Sequence, residues 1–194
     1  MLYHIYTTDG IILKRSPFGE ANVLLYVLTK DLGLVMASAQ SARLSKSKLR
    51  HGLQEYSHVL ASFVKGKNGW KLTNVSEKGS FFFDLPRPYT RVLAQIVFIL
   101  IKMMPGEHPH PEIFQTVRSG FEFLKNLPEI EVKNFEILLV LRILHELGYV
   151  AQSSNTETFL NDLNTWSNEF LEKISEKKQA LVEIINKAMK ESQL

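Results

Sequence analysis

Between Ser41 and His51 the sequence places Arg43, Lys46, Lys48 and Arg50 within eight residues, with no acid among them. The chemistry open to such a run is anion neutralisation. Its self-repulsion is relieved by solvent or, more completely, by a polyanion. Taken alone, a charge run of this kind is a solvated loop. Two further basic patches change that reading: Lys14 and Arg15 precede a Pro- and Gly-containing connection, and Lys65, Lys67 and Lys71 flank a Gly-Lys-Asn-Gly turn. Tyr26, Tyr56, Phe63 and Trp70 lie near these patches, and a base stacked on such a ring gains about 1–3 kcal/mol. Each ring also suits a core. Trp70, beside the last basic patch, is the one carried forward as a stacking candidate.

Other chemistries find little support. There are no cysteines, so disulfides and Cys-ligated zinc or iron–sulfur sites are excluded. The segment Gly106 to Glu112 offers His108, His110, Glu107 and Glu112, but the histidines flank a proline and no second cluster completes a metal site. It reads as a plain helix connection. His145 has no sequence partner for acid–base catalysis, and no Gly-rich phosphate loop, serine elbow or carboxylate pair is present. The expectation is a protein with no enzymatic activity, no cofactor and no metal.

The elements that must position the basic residues follow from periodicity. Gly10 to Arg15, Ala21 to Thr29, Leu34 to Ala39, Leu53 to Val64 and Trp70 to Val75 are short, alternating and β-branched or apolar, which predicts five strands. Ser16 to Glu20 reads as the first turn, Asp31-Leu32-Gly33 as the second, and Lys65 to Gly69 as a hairpin whose Asn-Gly supplies positive φ. Five short antiparallel strands in about 75 residues suggest a small closed barrel of the OB type. In such a barrel the three basic segments are loops bordering the nucleic-acid groove, and they are expected to converge on one rim. If about five of these side chains meet phosphates, log K falls with log salt at a slope of roughly −3 to −4 for a single strand.

The pattern changes at Pro86 and Pro88. Tyr89 to Met104 is apolar on nearly all sides, which predicts the central helix of a helical domain, closed by Pro105-Gly106. Pro111 to Lys125 and Glu131 to Leu147 give two further amphipathic helices, the second with Arg142 interrupting its apolar stripe and Gly148 as a C-cap. After a polar linker from Gln152 to Thr156, the spacing of Phe159, Leu163, Trp166, Phe170 and Ile174, then of Leu181, Ile184, Ile185 and Ala188, predicts one or two closing helices. The fold class is therefore α+β and multidomain, with residues 1–80 an OB-fold β-barrel and residues 81–194 an all-α domain.

Charge is partitioned in the same way. The first 80 residues hold 11 Lys and Arg against 5 Asp and Glu, the remainder 12 against 15, although the chain as a whole carries only +3. An N-terminal module that meets an anion and a C-terminal one that does not is the simplest reading. The N-terminus lacks the order of a signal peptide, and the apolar run ending at Ile101 is too short to span a bilayer. A cytoplasmic protein with no membrane partner is expected.

Four strings, in register, resemble one family. They are Thr8 to Lys14, Phe18 to Leu24, Thr29 to Val35 and Ser47 to Gln54, and together they resemble the N-terminal domain of the RecO family of bacterial recombination mediators. The likeness continues through Pro105-Gly106-Glu107, Pro111 to Phe114, Phe135-Glu136, Leu147-Gly148-Tyr149 and Leu181 to Leu194. The resemblance implies an OB-fold with a helical domain, binding of single- and double-stranded DNA, annealing, and work with a RecR-like protein and single-strand-binding protein to load a recombinase. It places Lys14, Arg15, Arg43, Lys46, Lys48 and Arg50 on the DNA-binding surface, and to these the loop reading adds Lys65, Lys67, Trp70 and Lys71. Two departures stand out: the four zinc-module cysteines that many members carry after Leu-Gly-Tyr are absent here, and Ala39-Gln40-Ser41 stands where relatives usually show a glycine before the basic residues. The rival readings are a protein-interaction module whose basic loops meet an acidic partner, and an RNA-binding OB protein.

Overall fold

The computed structural model describes residues 4–81 and 85–192. Five strands, β1 (Ile5–Phe18), β2 (Asn22–Thr29), β3 (Gly33–Ala39), β4 (Ser57–Gly66) and β5 (Gly69–Ser80), close into a barrel in the order β1-β2-β3-β5-β4. β3 and β5 run parallel where they meet, through Ala37↔Trp70 and Ala39↔Leu72, and all other pairings are antiparallel. This is an OB-fold, and closure removes the sheet edges that an open five-stranded sheet would expose.

Alternation places Val23, Leu25, Val27, Val35, Ala37, Val59, Ala61 and Phe63 inside, where they form the barrel core with Trp70 and Leu72. A bulge between Ile12 and Lys14 breaks the alternation of β1, so Ile11, Ile12 and Leu13 are all buried. Several strand bounds differ from the sequence reading: β1 starts earlier, at Ile5, and β5 runs on to Ser80. Pro17 and Phe18 belong to β1, because β4 pairs with β1 only as far as Ile11, and a strand with one free side tolerates a residue lacking an N–H. β4 starts at Ser57, because Arg50–Gly52 forms a 3-10 turn and Tyr56 adopts φ 63 ahead of the strand.

The helices are α1 (Arg87–Met103), α2 (Pro111–Leu124), α3 (Val132–Glu146), the single turn α4 (Glu157–Leu160) and α5 (Asn168–Glu191). The more enclosed helix is α3, not α1. From Leu138 to Leu144 every residue of α3 is buried, whereas α1 leaves Ala94, Gln95 and Phe98 exposed. The predicted helix through Leu163 and Trp166 is broken: α5 begins only at Asn168, capped by the Ser167 hydroxyl, which accepts from Phe170 N–H.

Arg142, which reads in the sequence as a flaw in a stripe, explains that break. It is fully buried, donating from Nε to the Phe159 carbonyl (3.1 Å), from Nη1 to Leu163 (3.0 Å) and from Nη2 to Asp162 (3.1 Å). Its guanidinium lies 4.4 Å from the centre of the Trp166 ring. Trp166 in turn donates to Ser119 Oγ and covers Gly120, where a Cβ would meet the indole at 2.9 Å. Segment 159–166 is thus fixed by a buried cation at its carbonyls. Burial pulls Arg142 down to about 10, with Asp162 and Glu146 acting in the opposite direction.

By packing, the chain divides into two compact units, Met1–Asp84 with Pro105–Phe114, and Leu85–Met104 with Gln115–Leu194. The connection 105–114 is thus part of the barrel unit and not only a link between helices. Leu34 N–H donates to the Gly106 carbonyl, and Gly33, at φ 74, lies so close to the Gly106 and His108 carbonyls that no Cβ fits there. Among the described residues no helix is long and apolar enough to cross a membrane, and no group of three metal-ligating side chains occurs.

Candidate nucleic-acid interface

The basic loop leaves β3 at Ala39 and is anchored to the turn between β1 and β2. Ser41 N–H donates to Asn22 Oδ1 (2.9 Å) and Arg43 N–H to the Ala21 carbonyl (2.9 Å). Arg43 Nη1 adds bonds to the carbonyls of Gly19 (3.3 Å) and Glu20 (3.0 Å). Ser41 takes φ 54, the left-handed conformation that favours glycine. Arg43 therefore joins two loops into one piece through Nη1, and among the described residues its Nε and Nη2 make no hydrogen bond.

Lys46, Lys48 and Arg50 follow on the same loop, exposed, and among the described residues none of them enters an ion pair. Arg15, half-buried on β1, is held near this rim by its backbone N–H, which donates to Glu55 Oε1 (2.8 Å). Lys14 has the opposite parity. It is exposed and pairs across the sheet with Tyr26, which pairs with the 52 %-exposed Met36 of β3. One row along, Ser16, Leu24, Ser38 and Lys71 occupy matched positions on β1, β2, β3 and β5. The outer face of the sheet thus carries a lysine at each side with Tyr26 and Met36 between.

The third basic loop does not join that rim. The β4–β5 hairpin closes against the middle of β3, since Lys65 pairs with Trp70 and Trp70 with Ala37. Lys67 stands exposed at the hairpin, but Lys65 is drawn to Glu107 (2.5 Å) and lies 5.2 Å from the centre of the Trp70 ring. The Lys65 bond outweighs the opposing effect of burial and holds the Glu107 carboxyl below the usual range, the Trp70 indole adding to it. Among the described residues that indole N–H is buried and reaches no acceptor in hydrogen-bonding geometry, so the Lys65 bond is the contact that holds Glu107.

Trp70 itself corrects the stacking expectation. It is 6 % exposed, edge-on to Tyr6 and Phe63, inside the barrel core. An indole there offers no face to a base. Phe63 is wholly buried and Tyr56 is half-buried, its hydroxyl pushed up by burial with Glu55 adding to it. Tyr26 is the sequence-selected ring that shares an outer face with exposed cations. Met36 was missed because a methionine in a strand carries no polar signal; only the register puts it beside Tyr26.

A closed five-stranded OB barrel with exposed cations on the loop after β3, followed by an all-α unit, defines the chain as α+β. Residues 1–80 match the family model described as recombination protein O N terminal, and the chain is a member of the RecO family. It is similar to proteins named DNA repair protein RecO: 28 % identical over 152 residues to that of Thermodesulfovibrio yellowstonii, 77 % of this chain and 60 % of the relative. The likeness to the Dehalococcoides mccartyi protein (strain 195) is 34 % over 140 residues, 71 % of this chain and 55 % of the relative. To the Heliobacterium modesticaldum protein it is 28 % over 154 residues, 77 % and 54 %. The matched part thus spans a little over half the length of these relatives.

Proposed function

We propose that this chain is a non-catalytic DNA-binding mediator of recombinational repair. The observation that carries the reading is the exposed run Lys46, Lys48 and Arg50, free of ion pairs at the rim of an OB barrel whose outer face sets Lys14 beside Tyr26. Membership of the RecO family, whose relatives are named DNA repair proteins, supports DNA as the anion. The cations neutralise phosphates, and the sheet face receives bases. Lowering the charge of two complementary strands at once reduces their mutual repulsion, so annealing proceeds without a chemical step.

The helical unit is the part we assign to protein partners, a RecR-like protein and single-strand-binding protein, on the way to recombinase loading. What supports this is an open depression of about 1470 Å³ between α1, the turn Glu129–Glu131 and α3. Ile130, 84 % exposed, stands beside it, and Arg87, Arg91, Lys133 and Lys178 outnumber Glu129 and Glu136 in its lining. An acidic partner segment with an apolar residue suits that combination.

The test is fluorescence anisotropy of a labelled single-stranded oligonucleotide across a salt series, with parent and a Lys46→Glu, Lys48→Glu, Arg50→Glu variant. The variant is expected to bind far more weakly, with a log–log salt slope shallower by about 2, at roughly 0.7 per lost contact. Equal affinity in the variant removes the loop from the site. A parent that fails to bind at low salt removes DNA from the function and leaves the protein-interaction reading.

A further inference from the structure

The rim that carries the basic loop also carries two large apolar side chains out in solvent. Phe18, the last residue of β1, and Leu44, in the basic loop, are each 52 % exposed. They flank the two ends of one hydrogen bond: Phe18 precedes Gly19, whose carbonyl accepts from Arg43, and Leu44 follows Arg43. Leu44 is itself held in a turn by donation from its N–H to the Ser41 carbonyl (3.1 Å).

Exposed apolar residues scattered singly need no explanation. This pair differs in two respects. Both sit on loops cross-tied by Arg43 and by the Ser41–Asn22 bond, so their backbone placement is fixed before any ligand arrives. Both lie close in the chain to cations, Phe18 three residues after Arg15 and Leu44 between Arg43 and Lys46, and among the described residues Arg15, Lys46, Lys48 and Arg50 enter no ion pair. The acid in the turn, Glu20, offers Arg43 its backbone carbonyl. A surface that alternates apolar side chains with unpaired cations matches a ligand that alternates apolar faces with anions, which is the repeat of a single-stranded nucleic acid.

We propose that Phe18 and Leu44 form a wedge that enters the base stack of the bound strand, Phe18 facing a base and Leu44 filling the opened step, while Lys46, Lys48 and Arg50 hold the adjacent phosphates. The inference rests on the DNA-binding reading above and adds the site at which stacking is interrupted. Interrupting the stack on the bound strand leaves base edges open to a complement, which is what an annealing surface requires. Separation of neighbouring bases by inserted apolar side chains, and stacking on aromatic rings, are the established ways a protein does this. Arg43 acts through the wedge as a positioning residue.

Two variants of the full chain test it with oligo(dT) as the probe. Phe18→Trp keeps an aromatic of similar placement and adds a reporter, and its emission is expected to be quenched on binding beyond any change in the parent. Phe18→Ala with Leu44→Ala is expected to bind roughly five- to a hundredfold more weakly with an unchanged salt slope, while thermal unfolding stays that of the parent. Should the parent bind and the double variant bind equally, with the Phe18→Trp emission unmoved, the wedge is overturned and the DNA-binding reading stands. A parent that binds no oligo(dT) overturns both. Emission of Phe18→Trp that is silent with oligo(dT) but shifts to the blue on vesicles of an anionic phospholipid overturns the wedge in favour of a lipid surface. The tryptophan variant reads out independently of whether the double variant folds.

Discussion

The basic loop of the barrel and Arg142 of the helical unit use the same kind of group in opposite environments. At the rim, Lys46, Lys48 and Arg50 are exposed, and among the described residues their side chains enter no ion pair. Arg142 is wholly enclosed, and three carbonyls of segment 159–163 converge on it. A cation left in water keeps its hydration until a ligand replaces it. A buried cation has lost that hydration, so the protein must supply all of its partners. One arrangement is ready for a ligand, and the other is already satisfied from within. After Leu147-Gly148-Tyr149 this chain organises segment 159–163 with a guanidinium fork, whose planar geometry serves three acceptors as an ammonium would not.

The contrast breaks most visibly at Arg142. Arg142→Ala is expected to cost about 3–5 kcal/mol, because a cavity opens and the buried Phe159 carbonyl loses its donor, as do the part-buried carbonyls of Asp162 and Leu163. Denaturant unfolding followed through Trp166 emission measures it, and Arg142→Lys recovers less than half. A loss below 1 kcal/mol in Arg142→Ala denies the clamp.

The rim triple variant, Lys46→Glu, Lys48→Glu, Arg50→Glu, gives the converse. Its unfolding free energy is expected to stay within about 0.5 kcal/mol of the parent while DNA binding collapses. Comparable losses in both measurements would erase the distinction between the two regions.

Between the extremes lies Asp9, a carboxylate shared by Lys78 (2.5 Å) and His58 (3.2 Å) on the barrel wall. Burial alone would raise its pKa; the Lys78 bond and charge, with His58 added, outweigh burial and hold it below the usual carboxylate range. A folded-state pKa below the unfolded one contributes stability above about pH 4 that is lost as the pH falls through the folded value. Asp9→Asn is therefore expected to flatten the acid limb of the stability profile below about pH 4. Melting temperature across a pH series checks this.

The smallest effect is at Ser41. Ser41→Gly relieves a left-handed serine at φ 54 and is expected to raise stability by no more than about 1 kcal/mol, with DNA affinity retained. Affinity lost in that variant would mean that the serine itself, and not the turn, serves the site.

How much of this was legible in the sequence depends on which physical signal each feature carries. Strand alternation named Val59, Ala61 and Phe63 as one face, and they are the inner face of β4. Turn chemistry located Gly33 and the Asn68-Gly69 hairpin, because positive φ leaves glycine as a trace. The RecO resemblance, carried by four short strings, agrees with the matched family model over residues 1–80. The loop reading of Ser41 to His51 followed from charge alone, since four cations without an acid have no place in a core.

Other features depend on long-range pairing that no local pattern encodes. Trp70 beside a lysine-rich turn looks in sequence like a surface ring, yet the parallel step from Ala37 to Trp70 turns it inward. Arg142 looks like an error in an apolar stripe until the carbonyls of a segment about twenty residues on fold around it. The loops that carry Phe18 and Leu44 are tied together because Arg43 bonds across from one to the other, a contact between residues more than twenty positions apart. The sequence determined by itself that the barrel end of this chain would be basic, because composition and local spacing suffice for charge. Only the tertiary structure decided which rings face solvent and which cations stay unpaired, because burial depends on which distant strands and loops come together.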